Sequence, residues 1–195
     1  MVDILVAAGA LVVVAPVVLL VALLIKLDSS GPALFRQTRV GRDGRRFQIV
    51  KFRTMVPGAE AILANDPPLR RAYEANHFKL AAEADPRITA FGRTLRKLSL
   101  DELPQLWNVL RGDMSLVGAR PVPEGHFESF SAAAQADYTR MRPGITGLWQ
   151  VNGRSHAGDT MPEANAEYVE RWSLVLDLRI MLKTLPAVLR RHGAF

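Results

Sequence analysis

The sequence predicts an α+β fold that is mainly helical, with a long apolar helix at the N-terminus and one small β-hairpin. Three observations support this class: an uncharged apolar run opens the chain, an Asp-Gly turn joins two strand-like runs, and apolar residues recur at helical spacing through much of the remainder. The chain has 195 residues, 49% of them hydrophobic, which suits one compact domain and excludes a disordered chain.

Composition limits both the chemistry and the partners. The chain has no cysteine, which excludes a disulfide scaffold, a thiolate zinc site, an iron–sulfur cluster and a cysteine nucleophile. Its net charge of +6 calls for an anionic partner. Nucleic acid, an acidic membrane surface and a phosphorylated small molecule all satisfy this requirement, and composition alone leaves the three open.

The first element is a membrane-embedded helix within residues 1–30. The 22 residues from Ile4 to Ile25 carry no charged or hydrogen-bonding side chain, and as a helix they would reach about 33 Å, against a hydrocarbon thickness of about 30 Å. A cleaved signal peptide is disfavoured because Asp3, and no Lys or Arg, precedes the run. Pro16 predicts a kink near residues 12–16, and a bent helix can either span the bilayer or re-enter on the same face.

A basic body follows this helix and forms the second predicted unit, residues 31–195. Lys26 and five arginines lie just after the apolar run (Arg36, Arg39, Arg42, Arg45 and Arg46), and the positive-inside rule therefore places the body in the cytoplasm. Beyond residue 30 the chain has 24 Lys and Arg against 17 Asp and Glu, a net charge of +7.

The next element is a β-hairpin within residues 33–55. Its two strand-like runs flank residues 41–44, whose Asp-Gly step is a strong turn signal. In the second run, the period of two places Lys51 and Arg53 on one face. Two cations are then expected to point in the same direction.

Helices are predicted over most of the remaining chain. The region 58–84 is expected to form two helices, because Asp66-Pro67-Pro68 interrupts it. Another helix should begin near residues 101–104 and end near Leu110. The tail, residues 163–192, is predicted as one amphipathic helix with leucines on one side and basic residues on the other, a pattern that suits a bilayer surface.

Asp101 and Glu102 are the main candidates for chemistry. At the start of a helix, Ser99 or Asp101 could simply serve as an N-cap and Glu102 as a first-turn acid. However, basic residues surround the pair in sequence (Arg87, Arg93, Arg96, Lys97, Arg111 and Arg120). Two acids among six bases suit a site where a divalent cation meets a polyphosphate.

Two further segments are weaker candidates. Arg120-Pro121 follows a turn of small residues and would hold a guanidinium ready for a phosphate or a nucleobase, although a surface arginine gives the same pattern. The turn-rich segment 142–154 is either a ligand loop or a packed loop. The four histidines have no metal-ligand spacing, and the sequence has no Walker P-loop or dinucleotide-binding motif.

Taken in order, these segments resemble the bacterial sugar transferases, the monotopic polyprenyl-phosphate phosphoglycosyl transferases. The resemblance rests on the apolar run with its proline, the segment 31–41, the Lys51-Phe52-Arg53-Thr54-Met55 motif, the segment 142–154 and above all the segment 99–117. It implies transfer of a sugar 1-phosphate from a UDP-sugar to undecaprenyl phosphate, with release of UMP and with Mg2+ as cofactor. It also implies a re-entrant N-terminal helix and amphipathic helices at the surface of the bacterial inner membrane, with the catalytic body on the cytoplasmic face. A homodimer is compatible with the resemblance.

Residue by residue, the resemblance implies that Asp101 is the nucleophile and that Glu102 is its dyad partner, either a magnesium ligand or a proton-handling group. Both are candidate magnesium ligands. It implies substrate contacts for five cations (Lys51, Arg53, Arg96, Arg120 and Arg154). Two positions depart from the family pattern: Ala119 stands where a Pro-Arg-Pro motif is common, and Ala15 stands where some members have serine before the proline.

Two other classes fit parts of the sequence. A non-catalytic scaffold that binds anionic lipid would need the apolar anchor and the basic body but no acidic dyad. A membrane-tethered nucleic-acid binder fits the charge, but the basic residues alternate with aliphatic ones and match no nucleic-acid-binding fold. The sequence therefore favours a transferase with no nucleic-acid partner, and it leaves the sugar open.

Overall fold

The computed structural model describes residues 2–76, 80–81, 83–152 and 161–189. Within these residues the fold is mainly helical with two small sheets, which confirms the predicted class. The helices are α1 (Val2–Asp28), α2 (Ala59–Asn65), α3 (Pro67–Ala75), α4 (Ala90–Lys97), α5 (Leu106–Arg111), α6 (Glu124–Glu128), α7 (Ala132–Thr139), α8 (Leu148–Val151), α9 (Met161–Glu170) and α10 (Leu174–Leu189). The strands are β1 (Leu34–Val40), β2 (Arg46–Phe52), β3 (Ser115–Val117) and β4 (Gly144–Thr146), with short 3-10 helices at Arg42–Gly44 and Leu100–Gln105.

The predicted hairpin is formed by β1 and β2, which pair antiparallel in a register that joins Val40 to Arg46. Between the strands, Asp43 has a φ of 56° and Gly44 a φ of 72°. This is the left-handed conformation, which Gly adopts freely and Asp tolerates better than most residues. The Asp-Gly turn is thus confirmed.

The outer edge of β2 is covered by helix α5. The Asn108 side chain accepts a hydrogen bond from the Val50 amide (3.0 Å) and donates one to the Gln48 carbonyl (2.7 Å). Asn108 is fully buried, so its amide group takes the place of a neighbouring strand at this edge. Because β2 also carries Lys51, the same contact fixes where Lys51 lies in the body.

Helix α1 lies against the body over its whole length. Ala7 near its start and Ile25 near its end are both buried in the core. The Ser115 hydroxyl donates a hydrogen bond to Asp3 in the first turn (2.5 Å). On the side of the helix that faces away from the body, most of its leucines and valines are exposed. By length and composition α1 could cross a membrane. It runs as one helix through Pro16, so the predicted helix is confirmed and the predicted break is not.

The sequence does not predict the second sheet. β3 and β4 have three residues each and pair in parallel, and a periodicity of two cannot be recognised in so short a strand. Glycines allow the backbones to approach closely: a Cβ added at Gly147 would lie 2.0 Å from the Gly118 carbonyl oxygen. β3 leads directly into the segment that carries Arg120.

The two helices expected between residues 58 and 84 are α2 and α3. They separate at Asp66, whose side chain caps α3 by accepting a hydrogen bond from the Leu69 amide (2.9 Å). The helix expected near residue 101 begins as the 3-10 turn and continues as α5. Both predictions are confirmed in outline, although α3 ends at residue 75.

The prediction of one continuous helix over 163–192 is wrong. The described part of the tail forms two helices, α9 and α10, separated by residues 171–173. Ser173 accepts a hydrogen bond from the Leu176 amide (3.1 Å) at the start of α10. Asp177 then accepts hydrogen bonds from Tyr168 (2.7 Å) and Trp172 (3.3 Å), which holds the turn. The missed signal was a serine N-cap inside the apolar periodicity.

Candidate active site

Asp101 and Glu102 lie in the 3-10 helix Leu100–Gln105, which packs against β2. Ser99, the residue before it, has a φ of 54° and makes no side-chain capping hydrogen bond. Asp101 lies inside the turn and is not its N-cap. Capping therefore does not explain this segment, and the two carboxylates are left for another role.

Glu102 is held by two cations from different parts of the fold. The Lys51 ammonium of β2 lies 3.1 Å from Glu102 Oε1, and a guanidinium nitrogen of Arg120 lies 3.4 Å from the same oxygen. Burial lowers the pKa of Lys51, and the Glu102 charge opposes that shift. The structure thus brings Lys51 and Arg120 to the dyad, while their role as substrate contacts stays a prediction.

Asp101 differs from Glu102 because it has no such partner. In the part of the chain that the structure describes, its carboxylate takes part in no hydrogen bond or ion pair. Burial and the neighbouring Glu102 charge raise the pKa of Asp101, while Lys51, Arg96 and Arg120 act in the opposite direction. A shielded carboxylate without a partner is costly in a purely structural role, and it is available to a metal ion or an electrophile.

Arg96 reaches the dyad from helix α4. Its Nε donates a hydrogen bond to the Thr54 hydroxyl (2.9 Å). Burial lowers the pKa of Arg96, and Asp101 is the charge that most opposes the shift. Helix α4 can lie this close because of Gly92, where an added Cβ would come within 2.1 Å of the Thr54 carbonyl oxygen. Arg96 is thus positioned by close backbone packing.

A buried ion pair lies beside Arg96. Arg87 donates two hydrogen bonds of 2.8 Å to Asp85, and both residues are buried. Burial alone would raise the pKa of Asp85, but the hydrogen bonds from Arg87 outweigh it and hold the pKa below its usual range. The charge of Arg87 is therefore balanced within the protein.

Arg53 is not brought to the dyad. Its guanidinium donates hydrogen bonds to the Ser30 carbonyl (2.6 Å), to the Ser29 carbonyl (2.7 Å) and to the Ser29 hydroxyl (3.0 Å). It therefore satisfies carbonyl groups just beyond the end of α1. The predicted common face of Lys51 and Arg53 does not lead them to one site, because β2 ends at Phe52.

Arg154 lies outside the described residues. Residues 142–152 form β4, α8 and their connections, and Trp149 and Gln150 are buried there. Trp149 packs in the core cluster that also contains Ala119. In its described part this segment therefore packs into the core, and its role as a ligand loop stays a prediction.

Arg39 also lies near the site in the described part of the chain, and no sequence motif assigned it a role there. One of its guanidinium nitrogens donates to the Pro121 carbonyl (3.3 Å) and another to Gln37 Oε1 (2.5 Å). Burial, followed by the nearby Arg120 charge, lowers the pKa of Arg39 to about 10. A signal was present, because the hairpin register and the period of two put Arg39 on the same strand face as Lys51.

Asp101 and Glu102 are the described side chains at this site that could hold a divalent cation. In the described part of the chain there is no group of three or more His, Cys, Asp and Glu side chains that could hold a metal. Magnesium typically takes one or two carboxylates and completes its shell with water and substrate phosphates. The unpartnered carboxylate of Asp101 beside Glu102 fits this requirement.

Comparison with known proteins identifies the class. A model of the bacterial sugar transferase family matches residues 1–191. The exopolysaccharide production protein ExoY of Sinorhizobium fredii is 42% identical over 99% of this chain and 86% of its own length. The undecaprenyl-phosphate galactose phosphotransferase of Salmonella typhimurium is 49% identical over 85% of this chain and 35% of its own length. The UDP-glucose:undecaprenyl-phosphate glucose-1-phosphate transferase of Caulobacter vibrioides is 43% identical, covering 99% and 70%.

The chain therefore belongs to a class of sugar-phosphate transferring enzymes, the phosphoglycosyl transferases. The chain is a member of the bacterial sugar transferase family, as the sequence motifs predicted. The conclusion rests on a match over nearly the whole chain and on relatives above 40% identity.

Proposed function

We propose that this enzyme transfers a sugar 1-phosphate from a UDP-sugar to undecaprenyl phosphate, releases UMP and so initiates synthesis of an exopolysaccharide or another surface glycan. The relatives carry names for this reaction or for exopolysaccharide production. The observation that carries the proposal is the contrast within the dyad: Asp101 has no partner among the described residues, whereas Glu102 is held by Lys51 and Arg120.

The reaction proceeds in two displacements at one phosphorus. A carboxylate oxygen of Asp101 attacks the phosphorus that carries the sugar, and the bond from that phosphorus to the bridging oxygen breaks. UMP leaves with the bonding electron pair, and the sugar phosphate is left as an acyl phosphate on Asp101. A phosphate oxygen of undecaprenyl phosphate then attacks the same phosphorus and displaces the carboxylate. One diphosphate bond is broken and one is formed, and Asp101 is regenerated.

The cations around the dyad allow an anion to attack an anion. Lys51, Arg96 and Arg120 all act electrostatically on Asp101, and they would equally stabilise the charge that grows on the departing UMP. Magnesium bound at Asp101 and Glu102 would supply further charge neutralisation. Glu102, fixed by its two ion pairs, keeps the cations in position. Two separate half-reactions let a soluble donor and a lipid acceptor use the site in turn.

We further propose that α1 enters the inner membrane and returns on its cytoplasmic face, as a re-entrant helix. Asp3 at its start contacts Ser115, and Arg53 binds the residues at its end. Both ends therefore touch the same body, whereas a helix that crossed the bilayer would place its two ends on opposite faces of the membrane. The exposed leucines of α10, such as Leu182 with 76% exposure, would rest on the lipid surface as an interfacial helix. A homodimer remains a proposal from family resemblance alone.

Single cysteines test this topology cleanly, because the chain has no native cysteine. Val2→Cys and Ser30→Cys should both be protected from a membrane-impermeant thiol reagent in intact cells and should both react after permeabilisation. Reaction of Val2→Cys in intact cells would establish a spanning helix and refute re-entry.

Turnover tests the reaction itself. Purified enzyme is supplied with undecaprenyl phosphate, magnesium and, in turn, UDP-galactose, UDP-glucose and UDP-N-acetylglucosamine, and UMP is measured. At least one donor should give UMP together with a lipid-linked diphosphosugar, and Asp101→Asn should reduce the rate to background. Asp43→Asn is the matched control, because Asp43 lies in the exposed hairpin turn. If Asp101→Asn retained full function in vivo and no donor gave UMP, the lipid-binding scaffold would be the better explanation.

A further inference from the structure

We propose that Arg39 is a substrate-binding residue that contacts the diphosphate of the nucleotide sugar together with Arg120. This inference rests on the proposed function and adds a residue to its site. Arg39 comes from strand β1, away in sequence from the acidic dyad and from Arg120.

Arg39 lies directly beside the segment that carries Arg120. Its guanidinium donates to the carbonyl of Pro121, the residue after Arg120. Arg120 is also the charged neighbour that acts most strongly on Arg39, and the Glu102 charge reaches it as well. An anion bound to Arg120 would therefore lie within the electrostatic reach of Arg39.

Among the described side chains, the charges around the dyad do not balance. The described side chains that act on one another there are four cations (Lys51, Arg96, Arg120 and Arg39) and two carboxylates (Asp101 and Glu102). The adjacent Asp85 and Arg87 form their own neutral pair. The cluster thus holds an excess of two positive charges in a shielded place, and a metal ion would add to it. A diphosphate supplies the missing negative charge.

Arg39 also has an unused donor. Within the described residues it forms no ion pair, and its Nε is buried without a hydrogen-bond partner. An orphaned buried donor is unfavourable, and in native proteins it is often explained by a functional role. A phosphate oxygen is the acceptor that would satisfy this donor and offset the repulsion between Arg39 and Arg120.

A purely structural role for Arg39 is less consistent with the local contacts. The segment after Arg120 is anchored independently, because the Val40 amide donates to the Val122 carbonyl (3.3 Å). In addition, the Tyr138 hydroxyl accepts from the Val122 amide (3.2 Å) and donates to the Val40 carbonyl (2.9 Å). These three hydrogen bonds remain when Arg39 is replaced, so the variant is expected to fold.

The test compares Arg39→Gln with Arg36→Gln in the full-length protein. Arg36 is an exposed arginine of the same strand on its opposite face, which makes the two substitutions matched in charge. Binding of inorganic pyrophosphate is measured by calorimetry in the presence of magnesium, at two salt concentrations. Loss of one charge-assisted contact should weaken binding by about 10- to 100-fold in Arg39→Gln and reduce its salt dependence. Arg36→Gln should bind as the parent does.

Kinetics separate binding from positioning. In Arg39→Gln the KM for the UDP-sugar should rise, while the KM for undecaprenyl phosphate should stay within about twofold of the parent value. Arg39→Lys should recover part of the affinity, because lysine restores the positive charge but not the paired N–H donors of the guanidinium group. Unchanged pyrophosphate affinity in Arg39→Gln would overturn the inference. If Arg39→Gln lost its cooperative unfolding transition, Arg39→Met would replace it, because methionine removes the charge but keeps an unbranched side chain, and parent-like pyrophosphate affinity in that variant would be the contradicting result.

The two proposals fail separately. If the parent enzyme released no UMP from any UDP-sugar, the proposed function would fall, and the pyrophosphate comparison would still decide whether Arg39 binds a diphosphate. If the parent turned over normally and Arg39→Gln matched it in KM and affinity, only the role of Arg39 would fall.

Discussion

Replacement of Asn108 tests the contact that positions β2, and with it Lys51. Asn108→Ala removes the acceptor of the Val50 amide and the donor to the Gln48 carbonyl. The Val50 amide is buried and the Gln48 carbonyl is partly buried, and a buried polar group left unsatisfied costs about 1–3 kcal/mol. The free energy of unfolding should therefore fall by about 2–4 kcal/mol. For a chain of this size the melting temperature should drop by roughly 5–15 °C.

The assay is thermal unfolding in detergent, followed by tryptophan fluorescence. Asn108→Asp sharpens the test, because its carboxylate still accepts from the Val50 amide but repels the Gln48 carbonyl. It should be destabilised as well, although one hydrogen bond is kept. UMP release should fall in both variants at temperatures where they remain folded, since Lys51 loses its fixed position beside Glu102. A melting temperature within about 1 °C of the parent in Asn108→Ala would refute the claim that this side chain closes the edge of β2.

Three further predictions follow from the same contacts. Arg53→Gln should lower the free energy of unfolding by about 2–4 kcal/mol, because the carbonyl groups of Ser29 and Ser30 lose their charged hydrogen-bond donor. A loss of UDP-sugar affinity with an unchanged free energy of unfolding would instead indicate that Arg53 binds the substrate. The pKa of Asp101 is raised in the folded protein, so ionisation of its carboxyl group opposes folding. The protonated group's contribution to the free energy of unfolding is therefore complete below the ordinary aspartate pKa of about 3.9 and is lost as the pH rises through the raised pKa. In metal-free buffer Asp101→Asn should therefore melt above the parent at neutral pH, with a difference that closes below about pH 4, and a lower melting temperature at neutral pH would contradict the shift. Gly92→Ala should reduce kcat and stability together, because the added Cβ meets the Thr54 carbonyl oxygen that seats α4 and Arg96; parent-like melting and activity would show that α4 can shift without consequence.

Local signals in the sequence were sufficient for the hairpin and the first helix. The turn at Asp43 and Gly44 depends on the conformational preferences of those two residues, and the length of α1 follows from its uninterrupted apolar composition. The break of the tail was also local, but the Ser173 cap lay inside a strong apolar periodicity. The periodicity therefore dominated the prediction.

Site geometry depends on contacts that are distant in sequence. Asp101 and Glu102 were identified from their charged neighbours in sequence, and Lys51 from family resemblance and strand period. By contrast, the use of Arg53 at the end of α1 depends on where α1 packs, which no local pattern reveals. To predict that Arg39 lies at the site, the hairpin register would have to be combined with the position of the segment after β3. The pairing of β3 with β4 is similarly invisible, because it depends on the close approach of glycine backbones.

The most direct measurement of the central claim is the mass of the intact enzyme after the first half-reaction. The enzyme is incubated with its UDP-sugar and magnesium but without a lipid acceptor, and protein mass and UMP are measured together. If Asp101 is the nucleophile, the protein gains the mass of one sugar phosphate and about one UMP is released per enzyme. Both signals should disappear in Asp101→Asn and on chelation of magnesium, and they should persist in the Asp43→Asn control. An Asp101→Asn enzyme that still turned over at more than a trace rate would contradict the account and indicate direct attack by the lipid phosphate.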